Sequence, residues 1–154
     1  VTTYYLDTSA LVKRYVDETG SPWLRALLDA SPRTSVILVH LVVVEMTSAL
    51  MRRVREGVVS APEYAQAQNV FQSDCLDQYE LVTAVDDIID QANRLLERHP
   101  LRAYDAIHLA AAVVSNQALL ADNLPPLVFL SADDRLNRAA SAEGLAVDNP
   151  NSHP

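Results

Sequence analysis

The sequence predicts an α/β fold, a three-layer α/β/α sandwich with a mainly parallel central sheet. Two observations carry that prediction. Short apolar, β-branched runs alternate with longer segments of helical spacing along the whole chain. The run TSVILV at 34–39 is apolar on both faces, which a strand needs when helices cover both sides of its sheet. Parallel neighbours require right-handed crossovers, and the helical segments between the strands supply them. The 154 residues suit one domain with a substantial core, assigned to residues 1–148, and residues 149–154 (NPNSHP) are expected as a frayed tail.

Residues 3–7, TYYLD, form the first expected strand. After the turn-prone Thr8-Ser9, the apolar positions Ala10, Leu11, Val12, Tyr15 and Val16 recur with helical spacing. Ser21 is expected to cap the next helix, with Pro22 at its first position and Trp23, Leu24, Leu27 and Leu28 on one face, ending near Pro32. The strand at 34–39 leads into a helix from about Leu41 to Glu56, which closes on Arg52, Arg53 and Arg55, with Gly57 just past its end. Ser60-Ala61-Pro62-Glu63 is a capping box that opens a helix reaching about Leu76, and YELVT at 79–83 offers a short strand. Asp86 and Asp87 start a helix that turns Ile88, Ile89, Ala92, Leu95 and Leu96 inward and stops before Pro100. From about Ala103 to Asn116 the chain is apolar nearly all round, so this helix should lie buried against the sheet. LVFLS at 127–131 is a further strand, residues 133–141 a helix stopped by Gly144, and LAV at 145–147 a last edge strand.

Composition removes several classes of function. The longest near-continuous apolar run, VILVHLVVV at 36–44, is too short to span a bilayer, and no charged-then-apolar leader opens the chain. A cytoplasmic protein with no membrane contact is expected. The single cysteine, Cys75, excludes an internal disulfide and any Cys-based zinc or iron–sulfur site within one chain. A net charge of −8 argues against a phosphate-bearing partner until its distribution is considered. Residues 60–93 hold seven acids and no Lys or Arg, which leaves 13 acids against 12 bases elsewhere. The acidic stretch reads as solvated helix faces.

Four carboxylates fall at one edge of such a sheet. Asp7 closes the first strand, Glu45 lies in the first turns of the helix after the second, Asp105 lies in the first turn of the buried helix, and Asp133 follows the strand at 127–131. Ligands of open α/β sheets bind beyond the C-terminal ends of the strands. Each acid also has a purely structural reading, as a helix cap or a partner of the helix dipole, so the argument rests on their convergence. Carboxylates gathered in a partly dry cleft repel one another unless a cation neutralises them, and oxygen donors alone select Mg²⁺ or Mn²⁺ over zinc. Phosphodiester hydrolysis is the natural chemistry of that arrangement.

The segments YYLDTSALVKRY, VVVEMTSAL, LRAYDAIHLAAAV and FLSADDRLNRAA, in that order, resemble the four acidic motifs of the PIN domain and, more narrowly, those of VapC toxins from type II toxin–antitoxin pairs. The likeness runs from Thr3 to about Val147. It implies a PIN-like sandwich and a Mg²⁺- or Mn²⁺-dependent endoribonuclease that leaves a 5′-phosphate and a 3′-hydroxyl. It implies Asp7 and Asp105 as core metal ligands, Glu45 and Asp133 completing the pocket directly or through water, and Ser9, with Ser131, orienting the acids. It also implies a homodimer and a VapB-like antitoxin that places a basic side chain in the acidic pocket.

Arg52, two turns beyond Glu45, could meet an RNA phosphate at the cleft, as could Lys13, Arg14, Arg102 and Arg135; all five also read as solvated charges. His108, three residues after Asp105 on the same helix face, reads as a satisfied core histidine or as a partner of Asp105. Asp134 is adjacent to Asp133 and competes with it for the fourth position. Two other functions fit the same residues: a housekeeping PIN nuclease of RNA maturation, and a PIN-like module that binds without catalysis. A phospho-acceptor role for Asp7 of the dehalogenase kind would want a second Asp two positions on, where this chain has Ser9.

Overall fold

In a computed structural model that describes residues 1–30 and 32–154, the β-branched and aromatic runs pair into one sheet. Its strands are β1 (Thr2–Leu6), β2 (Thr34–Val39), β3 (Tyr79–Val82), β4 (Val128–Leu130) and β5 (Ala146–Asp148). They lie in the order β3-β2-β1-β4-β5 and every pair is parallel. The helices are α1 (Thr8–Tyr15), α2 (Ser21–Asp29), α3 (Val42–Arg55), α4 (Ala61–Asp77), α5 (Asp86–Arg98), α6 (Ala103–Ala121) and α7 (Asp134–Ala142). The α/β/α sandwich is thus the observed fold. Among the described residues no helix is long and apolar enough to cross a membrane.

The period-two alternation of the strands sorts the core into two layers. The register sets Tyr5 beside Ile37 and Phe129, and these three, with Val39, pack against α5, α6 and α7. Leu6, Val36, Leu38 and Leu130 face the other way, onto α1 to α4. The alanine-rich centre of α6 lets that helix lie close to the sheet, and Leu109 to Ala112 are fully buried. Between β1 and β4 the winding of the sheet reverses, so the C-terminal ends of these two strands flank the crevice where α/β sheets take ligands.

The local signals in the sequence match most element boundaries, and the departures have physical causes. The Ser60–Glu63 capping box forms in both directions, and Gly57 and Gly144 take the left-handed conformation that ends α3 and α7. Asp7 is not the last strand residue but the N-cap of α1. Gly20, at φ +84°, rather than Ser21, caps α2. The Ser21 hydroxyl instead accepts from the Glu18 N–H and donates to the Val16 carbonyl, both at 2.9 Å, which stitches the turn together. α6 continues past Asn116 to Ala121, and the Asn116 side chain accepts from the Leu127 N–H ahead of β4.

The C-terminal segment corrects the expectation of fraying. Pro150–Ser152 form a 3₁₀ turn with Pro150 buried, and the His153 ring stacks on Trp23 of α2 with centroids 4.0 Å apart. Gly20 makes this docking possible, because a Cβ there would stand 2.1 Å from the Pro150 carbonyl oxygen. Gly20→Ala should therefore lower stability by about 1–3 kcal/mol, from the strained φ and the clash together. Urea unfolding reads the loss, and emission from Trp23, the sole tryptophan, reports displacement of His153. Wild-type values of both would contradict the account.

At the other end of α7, Arg98 Nη2 and His99 Nε2 of the α5 terminus contact the two carboxylate oxygens of Glu143 at 2.5 and 2.8 Å. Partial burial alone would raise the Glu143 carboxyl, but the hydrogen bonds from His99 and Arg98 outweigh it and hold the group below its ordinary range. A lowered carboxyl stabilises the fold above its unfolded titration range and loses that contribution as pH falls through its folded value. Glu143→Gln should cost up to about 1 kcal/mol at neutral pH, and the gap should close on acidification. Urea midpoints of the two proteins from neutral to acidic pH check the sign.

Candidate active site

The parallel pairing of β1 with β4 places Leu6 opposite Leu130, so the residues that follow them, Asp7 and Ser131, emerge side by side. The Asp7 carboxylate is 4% exposed. Its Oδ1 accepts from the Ala10 N–H at 3.0 Å, the Ser9 hydroxyl donates at 2.7 Å to Oδ1 and 2.9 Å to Oδ2, and the Ser131 hydroxyl donates to Oδ2 at 2.7 Å. Each serine is also an acceptor: Ser9 Oγ takes the Ala132 N–H and Ser131 Oγ the Asp133 N–H, both at 3.0 Å. The two hydroxyls thereby tie Asp7 to the loop that carries Asp133. Burial pushes the Asp7 carboxyl above its ordinary range, against the opposing pull of these hydrogen bonds.

The other three acids approach from helix starts. Asp133 is the N-cap of α7, with Oδ1 accepting from the Arg135 and Leu136 N–H groups, while Asp134 binds the Asn149 side chain and is turned to the C-terminal segment. Asp105, in the first turn of α6, pairs through Oδ2 with Arg102 Nε at 3.2 Å. Glu45, in the first turn of α3, accepts through Oε1 from the Thr8 hydroxyl at 3.1 Å and contacts His108 Nε2 at 2.5 Å. Asp7, Glu45, Asp105 and Asp133 all line one cleft of about 600 Å³, together with Thr8, Ser9, Lys13, Arg52, Arg53, Arg102 and Tyr104. Four basic side chains therefore line the same cleft as the four acids. Lys13, only 6% exposed, and Arg53 are both paired with Glu18.

The gathering is looser than a preformed cage. Among the described residues, no three His, Cys, Asp or Glu side chains stand close enough to hold one metal ion. The donor chemistry nevertheless fits a hard cation, since Mg²⁺ keeps several waters and is commonly held by only one or two carboxylates. Glu45, Asp105 and Asp133 each have one oxygen outside the hydrogen bonds described, available to such an ion or its waters. The buried charge of Asp7 gives a cation its electrostatic reason to bind.

Two features escaped the sequence reading. His108 binds Glu45 rather than Asp105, and Thr8, passed over between Asp7 and Ser9, supplies the second donor to Glu45. Each joins residues far apart in the chain, so spacing within one helix carries no sign of either. Arg14, read as a cleft candidate, instead pairs with Asp29 and lies over the Tyr79 ring, away from the acids.

Comparison with known proteins bears on the family and the fold. A family model described as the PIN domain matches residues 4–142. Ribonuclease VapC35 of Mycobacterium tuberculosis is 33% identical over 146 residues, covering 95% of this chain and 96% of that protein. The crystal structure of VapBC2 from Rickettsia felis bound to a promoter DNA fragment superposes with a TM-score of 0.65 at 11% identity, over 96% of this chain and 98% of that one. That of M. tuberculosis VapC20, a sarcin-ricin loop cleaving toxin, superposes with a TM-score of 0.63 at 17% identity, over 98% and 99%. At those identities the two structures speak for the fold, whereas the family match over residues 4–142 and the likeness to VapC35 over nearly the whole of both chains show the family; the chain belongs to the PIN domain family, among its VapC members.

Proposed function

We propose that the cleft is the active site of a Mg²⁺-dependent endoribonuclease, with Mn²⁺ as a substitute, acting in the cytoplasm as the toxin of a type II toxin–antitoxin pair. The observation that carries this reading is the buried Asp7 carboxylate in a cleft shared with Glu45, Asp105 and Asp133, an arrangement of charge that a cation would relieve. Asp7 and Asp105 would hold the ion, and Glu45 and Asp133 would complete its surroundings directly or through water. When bound, the ion supplies positive charge for the phosphoryl oxygens and makes water more acidic.

The chain's own residues do the rest. Ser9 and Ser131 hold Asp7 in one orientation, so that its carboxylate does not rearrange as substrate enters. Arg52 and Arg102, at the rim, attract and align the RNA phosphates. Water adds to phosphorus, the bond to the 3′ oxygen breaks, and the departing oxygen gains a proton, leaving a 5′-phosphate and a 3′-hydroxyl. A homodimer is part of the reading, as is a VapB-like antitoxin whose basic side chain would enter the acidic pocket; the likeness to VapBC2 supports a partner of this kind.

The test is RNA cleavage by the purified chain. Mg²⁺ or Mn²⁺ should support cleavage, EDTA should abolish it, and restoring the metal should restore it. Asp7→Ala and Asp105→Ala should both be inactive, and expression without the antitoxin should arrest growth. Cleavage that persists in EDTA, or undiminished cleavage by both variants, would overturn the assignment.

A further inference from the structure

Glu45 differs from the other three acids in how it is held. Asp133 caps its own helix, Asp105 pairs with a residue one turn away, and Asp7 is bound partly by its own first turn. The Glu45 carboxylate takes its hydrogen bonds from α1 and α6, through Thr8 and His108. The His108 ring is 2% exposed, with Nε2 at 2.5 Å from Glu45 Oε1 and Nδ1 at 3.1 Å from the Tyr5 hydroxyl. Tyr5 is itself fully buried, stacked on Phe129 with centroids 5.6 Å apart and edge-on to His108.

We propose that His108 is a positioning residue that fixes the Glu45 carboxylate, with Tyr5 setting its tautomer; this rests on reading the cleft as the nuclease site. A carboxylate only accepts hydrogen bonds, so Nε2 carries the hydrogen that points at Oε1. In the neutral ring Nδ1 is then the acceptor, and the Tyr5 hydroxyl donates to it. The chain of contacts runs from the stacked aromatic core of the sheet through an imidazole to one oxygen of Glu45. Oε1 is held by His108 and Thr8, and Oε2 remains as the oxygen that can serve the cleft. α6 thus presents Asp105 directly and braces Glu45 from three residues further on, which makes the spacing of the two acids a property of one rigid helix. A histidine that only filled the core would be satisfied by Tyr5 and would have no need to direct its second nitrogen at a cleft carboxylate.

Three measurements test this. Nitrogen NMR of the metal-free wild type should show His108 protonated at Nε2 and bare at Nδ1, with a downfield Nε2 proton that moves upfield in Glu45→Gln; Tyr5→Phe should shift Nδ1. Separately, Mn²⁺ titration calorimetry without RNA should show His108→Leu weakened about 10- to 100-fold, the range seen when a partner of a metal ligand is removed. The same variant should lose kcat with little change in KM for RNA. His108→Gln, whose amide N–H reaches the position of Nε2, should stay within a few-fold of wild type. A wild type protonated at Nδ1 would overturn the brace, as would a His108→Leu protein with unchanged Mn²⁺ affinity and kcat. Loss of function in a folded His108→Gln equal to that in His108→Leu would do the same. The expected tautomer in a wild type that neither binds Mn²⁺ nor cleaves RNA would instead overturn the nuclease reading, and the role proposed here with it.

Discussion

Asp7→Asn is expected to reduce RNA cleavage by at least about 100-fold, beyond what loss of a supporting partner costs, while leaving the folded state at least as stable at neutral pH. The two halves of this result have one cause. Desolvation raises the Asp7 carboxyl despite the bonds from Ser9, Ser131 and the Ala10 N–H. A group whose folded titration lies above its unfolded value favours folding at low pH and loses that contribution as pH rises through the folded value, so ionised Asp7 burdens the apo fold at neutrality. The amide removes the charge, keeps an oxygen for the Ala10 N–H and offers Ser131 Oγ a donor. Any gain in midpoint over wild type should disappear on acidification, when the wild-type carboxyl is also neutral. Asn caps a helix as well as Asp does, so a residue serving only as the N-cap of α1 would tolerate this substitution without effect on catalysis. Thermal unfolding in EDTA across pH and initial cleavage rates in Mg²⁺ decide the matter, and a fully active variant would remove Asp7 from the chemistry.

Ser131→Ala should show the second-largest effect, with losses in both properties. The hydroxyl is fully buried and serves two acids at once, donating to Asp7 Oδ2 and accepting from the backbone N–H of Asp133. Removing it strands that N–H, at a cost of about 1–3 kcal/mol. It also removes one of the two hydroxyls that orient Asp7, which should slow cleavage about 10- to 100-fold. The two variants are thus distinguishable: Asp7→Asn separates activity from stability, whereas Ser131→Ala lowers both. Urea unfolding with parallel rate measurements tests the pair, and a Ser131→Ala protein with the wild-type rate would show that the hydroxyl does not position the acids.

How much of this was legible beforehand depends on the range of each interaction. TSVILV matches β2 residue for residue, and the capping box at Ser60 forms as read, because burial pattern and caps are decided within a few residues of the chain. The placement of the four acids at one sheet edge was also legible, since each stands where a strand ends or a helix begins and the sheet is parallel. The partner of His108, the donor role of Thr8 and the docking of Pro150 on Gly20 were not, because each unites segments that nothing in local spacing relates.

The sequence by itself determined the strand and helix segments, the parallel sandwich and the set of acids delivered to its C-terminal edge, all through periodicity and capping chemistry that act over one or two turns. Only the tertiary structure decided that Asp7 is nearly shut off from water, that two serines couple it to the Asp133 loop, and that Glu45 leans on His108. It also decided that the acids line a cleft without closing into a ready-made cage. Those features depend on how far apart two packed elements come to rest, a distance set by the summed volumes of the side chains between them and by no single stretch of chain.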